Sequence, residues 1–430
     1  MGPLLLDFVY LAIFILGLPF AVYKTLTSAR FRAGWRERFG GVPELPEQPR
    51  IWVHCASVGE VLLARTFVAR LAEEYPEADI VISTITSTGR EAAEKHLPGR
   101  TMFYFPLDFS PVVRRVLGRI RPAAVVLVEL ELWPNFLAVA RSRKIPVTVI
   151  NGRITDRSVR RYHRLGRLAR RMFRSVRHFA AQNEQYAQRL EELGVERGNI
   201  TVAGTMKYDG VATEVPADAV AEDRAKLRLR PGDVVLLGGC THPGEDELLI
   251  DYLKQRRAAG EELRLILAPR HRKSANAVER LIRAAGLLPV RKTAVDSGQA
   301  PDGFEEEPHV ILVDTTGELA RLYALATAVF VGGSLVEHGG QNMIEPAALG
   351  KPVVFGPHTW NFRDTVDMLL GGRAAIQVNG PDELAPALDE LFADAGRRAE
   401  LGANARRLVE KSKGATGRNF EAVRPFLNLG

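Results

Sequence analysis

The strongest constraint on this chain is a pattern that runs once, stops and starts again. From Pro49, short apolar runs alternate with amphipathic stretches: IWVHCA, DIVIST, TMFYFPL, AAVVLVEL, IPVTVIN, HFAAQ and ITVAG. Half-exposed strands alternate polar and apolar residues, whereas near-continuous β-branched runs read as parallel strands covered by helices on both faces. After a polar, aromatic-poor stretch around 210–230 the series resumes with DVVLLGGC, LRLILAP, GLLPVRK, HVILVD, TAVFVGG and KPVVFG. A chain of 430 residues exceeds what one core usually serves, so the restart marks a second domain. The expectation is an α/β chain of two doubly wound domains, 31–209 and 210–430, facing a cleft, with ligands at the carboxyl ends of the strands.

The composition, 46% hydrophobic and 25% charged, excludes disorder, and a net charge of +7 suits an anionic partner. Cys55 and Cys240 lie about one domain apart in apolar runs, which indicates neither a disulfide framework nor a metal cluster. No His/Cys/Asp set with ligand spacing is present, so no metal is expected, and a reducing, cytoplasmic setting fits. Ahead of the first domain, Phe8 to Tyr23 (FVYLAIFILGLPFAVY) carries no charge. A spanning helix needs about 20 apolar residues, which this segment reaches only with Pro3 to Leu6 and Asp7 included. Residues 1–30 therefore read as a membrane anchor that spans or lies in one leaflet, or else as a buried core helix. No cleavage site follows, and Lys24, Arg30, Arg32, Arg36 and Arg38 put the C-terminal flank on the cytoplasmic side.

Three places in the first domain bring charge to a strand end. HCASVGE puts Ser57 and Glu60 at a strand-to-helix turn, where they form a capping box or offer a general base. VELELWPN carries Glu129 and Glu131 out of an apolar strand, both on one face if the strand continues, before Trp133-Pro134 ends it. VAGTMKYD places Lys207 beside the domain junction, on the surface or set to neutralise a leaving phosphate. Between them, nine arginines and no acid from Arg157 to Arg177 predict a helical rod about 30 Å long with one basic stripe. The stripe is a solvated face or a contact for anionic phospholipid or a phosphorylated glycolipid; nucleic acid is disfavoured, since no recognised module accompanies it.

In the second domain LILAPRHRK ends a strand with Pro269, Arg270 and His271, and DTTGELARLYALA offers a tight turn at Gly317. The stretch GGSLVEHGGQNMIEPAALGKPVVFGPHTWNF (Gly332 to Phe362) follows the last long apolar run, with Asn342 opening an alanine-rich helical stretch. Glycine pairs admit close backbone approach, a helix N-terminus favours an anion, and Glu345 can accept from sugar hydroxyls; Asn342 and Glu345 also have capping-box spacing.

This stretch, with SVGE, ELELWPN, GTMKYD and PRH in the same order, resembles the 3-deoxy-D-manno-octulosonic acid (Kdo) transferases of lipopolysaccharide synthesis, from Trp35 to beyond Asn361. The resemblance implies a GT-B type fold and metal-free, inverting transfer of Kdo from CMP-Kdo to a lipid A precursor, lipid IVA, at the cytoplasmic face of the cell inner membrane, without a cofactor. By it Glu60 is the base, with Glu129 and Lys207 stabilising charge, and Pro269, Arg270, Thr316, Gly317, Glu318, Asn342 and Glu345 hold CMP or CMP-Kdo. Gln341 stands where histidine is common in that family. A soluble nucleotide-sugar epimerase would not need the apolar N-terminus, and a non-catalytic glycolipid-binding protein would not need Glu60, Glu129 and Lys207 together.

Overall fold

The computed structural model describes residues 3–28, 32 and 34–429, so Arg30 and the anchor boundary placed at residues 30 and 31 lie outside the described residues. The chain divides into two compact units, one running to Gly210 and taken up again from Ser412, the other spanning Val211–Lys411. The division corrects the sequence reading at its end, because 412–430 belong with the first unit and not with the second.

The first unit is built on seven parallel strands: β1 (Arg50–His54), β2 (Asp79–Thr84), β3 (Met102–Tyr104), β4 (Ala124–Val128), β5 (Val147–Gly152), β6 (His178–Ala181) and β7 (Ile200–Val202). Their order is β3-β2-β1-β4-β5-β6-β7, with Val53 opposite both Ile82 and Val126. Side chains alternate across each strand, and both faces are buried: Trp52, Val125 and Val149 join one core, Ile51, Val53 and Val126 the other. That is the physical reason the runs look uniformly apolar.

The second unit repeats the design with β8 (Val234–Thr241), β9 (Leu263–Pro269), β10 (Leu288–Arg291), β11 (His309–Leu312), β12 (Ala328–Val331), β13 (Val353–Phe355) and β14 (Ile376–Gln377), ordered β10-β11-β9-β8-β12-β13-β14. In each sheet the first strand lies between two later strands, from which the chain builds outward in opposite directions across the sheet. The sheets reverse between β1 and β4 and between β8 and β12, the points where connections diverge and leave a crevice at the strand ends.

The N-terminal helix Pro3–Thr27 is neither of the extremes the sequence allowed. It is no core helix, since Phe8, Leu16 and Leu26 are exposed, Leu16 by 83%. Among the described residues no helix is long and apolar enough to cross a membrane. Asp7, the one acid of this helix, instead fastens it down: its Oδ1 accepts from Ser110 N at 2.9 Å and Asn135 Nδ2 at 2.8 Å, and Tyr10 donates to Asp108 at 3.2 Å. Beside it lies an apolar hollow of about 470 Å³ lined by Phe8, Leu11, Phe14, Phe39, Phe109 and Val112. The basic rod is also corrected. Gly166, at φ 51° and ψ −118°, breaks it into Asp156–Leu165 and Arg167–Ser175, because no helix continues through that backbone conformation.

Candidate active site

In the first unit the charged residues converge on the β1/β4 reversal. Ser57 caps the helix Val58–Glu74, with Glu60 in its first turn. Ser57 Oγ accepts from Glu60 N, as the capping reading expects, while the Glu60 carboxylate accepts from Ala56 N at 2.7 Å and Ser57 Oγ at 3.0 Å. The cap thereby fixes the carboxylate at the sheet's mouth. Burial pushes Glu60 up to about 7, helped by the charges of Glu129 and Glu131 and opposed by the Ala56 and Ser57 hydrogen bonds. Such a group exchanges its proton near neutrality.

Glu129 reaches the same place by a different route from the one expected. Strand β4 stops at Val128, and Glu129 has φ 60°, so the pair Glu129/Glu131 is not displayed by a continuing strand. A left-handed glutamate is strained and is tolerated where the surroundings hold it; here its N–H donates to Ile150 O at 3.0 Å. Burial raises its carboxyl, while the charges of Lys207 and Arg153 pull the other way. Lys207 lies in the turn Met206–Tyr208, which Asn151 holds by accepting from Met206 N at 3.0 Å. Asn151 is itself left-handed at φ 54° and is fixed by Asn419, which accepts from its N–H at 2.7 Å. Asp209, two residues after Lys207, accepts from Gly414 and Thr416 N–H groups and caps the last helix, Ala415–Val423. Sequence reasoning missed Asn151, Arg153 and this tie, since nothing local marks which distant strand end a residue will join.

In the second unit Pro269 ends β9, and Arg270 N donates to Thr241 O at 2.9 Å, which sets Arg270 at the crevice beside β8. Gly317, at φ 92°, makes the expected turn between an exposed Thr316 and a half-buried Glu318. The Glu318 carboxylate is already engaged by Lys292 Nζ at 3.2 Å and Thr315 Oγ1 at 3.3 Å. Asn342 and Glu345 do meet, Asn342 Nδ2 donating to Glu345 Oε1 at 2.9 Å, but not as a capping box. The helix Ile344–Ala348 starts two residues after Asn342, whose Oδ1 accepts from Ile344 N, and with five residues it is too short to supply the dipole the sequence reading invoked. Burial raises the Glu345 carboxyl.

The glycine-rich turn owes its shape to a residue the motif search passed over. Glu245 is 0% exposed, and its two oxygens accept from His242, Gly333, Ser334 and Leu335 N–H groups at 2.7 to 3.0 Å. Gly332 lies so close to β8 that a Cβ would sit 2.5 Å from Cys240 O, which explains the glycine. In the sequence GGCTHPGEDE these acids, gathered after a strand, mark a helix start and give no sign of this role. Among the described residues no three His, Cys, Asp or Glu side chains are grouped to hold a metal ion.

Comparison with known proteins places this geometry. Residues 33–210 match the family described as 3-deoxy-D-manno-octulosonic-acid transferase (kdotransferase), and 303–408 match glycosyl transferases group 1. A 3-deoxy-D-manno-octulosonic acid transferase of Haemophilus influenzae is 31% identical over 408 residues, 94% of this chain and 93% of that protein. The Bordetella pertussis enzyme of the same name is 33% identical over 94% of this chain and 92% of its own. A Rickettsia africae glycosyltransferase structure superposes with TM-score 0.58 at 11% identity, covering 89% of this chain and 98% of that one. A UDP-GlcNAc 2-epimerase from Neisseria meningitidis gives 0.55 at 12%, covering 84% and 99%, so the GT-B type architecture is shared beyond one activity. With identities above 30% along nearly its whole length, the chain belongs to the 3-deoxy-D-manno-octulosonic acid (Kdo) transferase family and is a glycosyltransferase.

Proposed function

We propose that this glycosyltransferase moves Kdo from CMP-Kdo to the 6′-hydroxyl of the lipid A precursor lipid IVA, with inversion, at the cytoplasmic face of the inner membrane. The observation that carries the reading is the Glu60 carboxylate, fixed by its cap, lifted to about 7 and grouped with Glu129 and Lys207. The acceptor oxygen attacks the anomeric carbon, its proton passes to Glu60, and the bond to the phosphate oxygen breaks with CMP leaving as the anion. Lys207 offsets negative charge in that step, and Glu129 holds the lysine in place. A phosphate leaving group needs no strong acid, which fits a single base at the site. Arg270, Gly317, Asn342 and Glu345 are the donor contacts in this reading, with Pro269, Thr316 and Glu318 framing them.

The acceptor is a lipid, and two features of the first unit suit a membrane surface. The exposed apolar side of Pro3–Thr27 would lie in one leaflet, and the arginines of the two helices on either side of Gly166 would meet anionic headgroups. A soluble epimerase would need neither.

Mass spectrometry of tetra-acylated lipid A precursor incubated with the protein and CMP-Kdo tests the reading. Increments of one Kdo unit are expected, and none with Glu60→Ala. Wild-type protein that binds CMP-Kdo but leaves the lipid unchanged would remove the proposed acceptor.

A further inference from the structure

Three histidines of the second unit, absent from the reading above, come together from separate strands. His242 follows β8, His271 follows β9 and His338 lies in the loop after β12, so the sheet order β9-β8-β12 makes them neighbours. The rings of His242 and His338 stack with centroids 4.1 Å apart and 20° between planes; those of His242 and His271 are 6.1 Å apart at 82°. Gln341 Nε2 donates to His242 Nε2 at 3.3 Å, which leaves the ring proton on Nδ1. Burial and the charges of His338, His271 and Arg270 keep His242 neutral, at about 4.

The surrounding chemistry selects what such a cluster takes. Glu245, the acid beside His242, is fully used by four backbone N–H groups. Arg270, His271 and His338 are exposed, and none forms an ion pair among the described residues. The group is therefore a set of N–H donors around one guanidinium that no ion pair takes up among the described residues; the acid left in the neighbourhood, Glu345, is held by Asn342 with its carboxyl raised by burial, so an anion completes the site at the strand ends. A nucleotide donor of an octulosonic acid carries two anions on one carbon, the phosphate being displaced and the sugar's own carboxylate. Arg270 alone is one cation for two anions.

We infer that His242, His271 and His338 form the subsite for the carboxylate of the transferred sugar acid, beside the phosphate at Arg270. The inference rests on the proposed donor, and it makes these imidazoles the determinants that reject nucleotide sugars lacking an acid at the anomeric carbon. A site built to hydrogen-bond one group discriminates against an analogue without it, because its donors are left unpaired.

Isothermal titration of the full chain with CMP, with CMP-Kdo and with CMP-Kdo whose carboxylate is reduced to a primary alcohol tests this. His271→Ala and His338→Ala are read beside wild type, each checked for an unchanged melting temperature. The expected result is about a tenfold loss of CMP-Kdo affinity in each variant, with CMP and the alcohol analogue bound as by wild type. His338→Gln, which keeps an N–H donor, should recover most of the loss. Equal losses for CMP and CMP-Kdo would assign the imidazoles to the nucleotide and overturn the inference, as would unchanged CMP-Kdo affinity or a wild type that binds the alcohol as tightly as the acid. Binding of neither CMP nor CMP-Kdo by wild type would overturn the donor reading and the subsite together, an outcome distinct from CMP-Kdo binding without discrimination.

Discussion

The two units share a sheet design and a location for their sites, yet fill those locations with opposite chemistry. At the β1/β4 reversal three carboxylates gather, and burial, with the charges of Glu129 and Glu131 added, raises Glu60 to about 7. At the β8/β12 reversal a guanidinium, imidazoles and amides stand with acids that are already engaged, Glu245 by backbone N–H groups, Asp246 by Thr241 and Glu345 by Asn342. Topology supplies a crevice and the residues placed there decide its use, in the proposed reading a base in one unit and an anion receptor in the other.

The contrast can be broken most forcefully at Glu60. Glu60→Gln keeps the cap and removes the base, so kcat should fall by about 10³-fold with CMP affinity unchanged by titration; loss of CMP affinity would mean the two sites are not chemically separate. Glu245→Ala is the matching change in the second unit. It strands four buried backbone N–H groups, and denaturant unfolding should show about 3 kcal/mol lost along with CMP binding. Arg270→Ala should weaken CMP by about 10- to 100-fold while leaving stability unchanged, since its side chain is exposed.

A pH series separates the units less sharply. Glu60, Asp108 and Asp246 are each pushed up to about 7, chiefly by burial. The folded state then binds more protons than the unfolded state between the ordinary carboxylate range and pH 7. Stability should therefore fall as pH rises through that window and level off above it, lowering the melting temperature by a few degrees. The pH–rate profile runs the other way, because Glu60 must be ionised to act, so kcat/KM should drop below about pH 7. The smallest effect concerns the surface. Leu16→Glu should change stability by less than about 0.5 kcal/mol, since Leu16 is 83% exposed, but reduce co-sedimentation with anionic vesicles.

Both sheets were legible in the sequence because strands buried on two faces leave no alternation to misread. Only β14 escaped, two half-buried residues giving no run to detect. The site was legible as a set of residues and not as a geometry. The sequence showed Glu129 and Glu131 two apart on an apolar strand, but not the left-handed turn at Glu129. It showed the acids of a helix start at Glu245, but not the turn that Glu245 would hold nearly ninety residues on. Arginine spacing suggested one rod because glycine's tolerance of φ 51° and ψ −118° is invisible in a periodicity count. Positions like these depend on which strand ends meet, which is set by long-range packing.

The tail from Ser412 carries a consequence for the order of biosynthesis. Phe420, Val423 and Leu427 fill the same core as Ile51, Val53 and Phe67, and Asn419 fixes the Asn151 that positions the turn of Lys207. Domains generally fold as the ribosome delivers them, the first-made part first. Here the first unit takes in a helix made only after the whole of the second unit, so while the second is being translated the first should keep an open apolar seam and an unset lysine. A nascent chain stalled anywhere between Val211 and Lys411 should be held by chaperones and unable to catalyse, however complete its acidic site looks in the sequence.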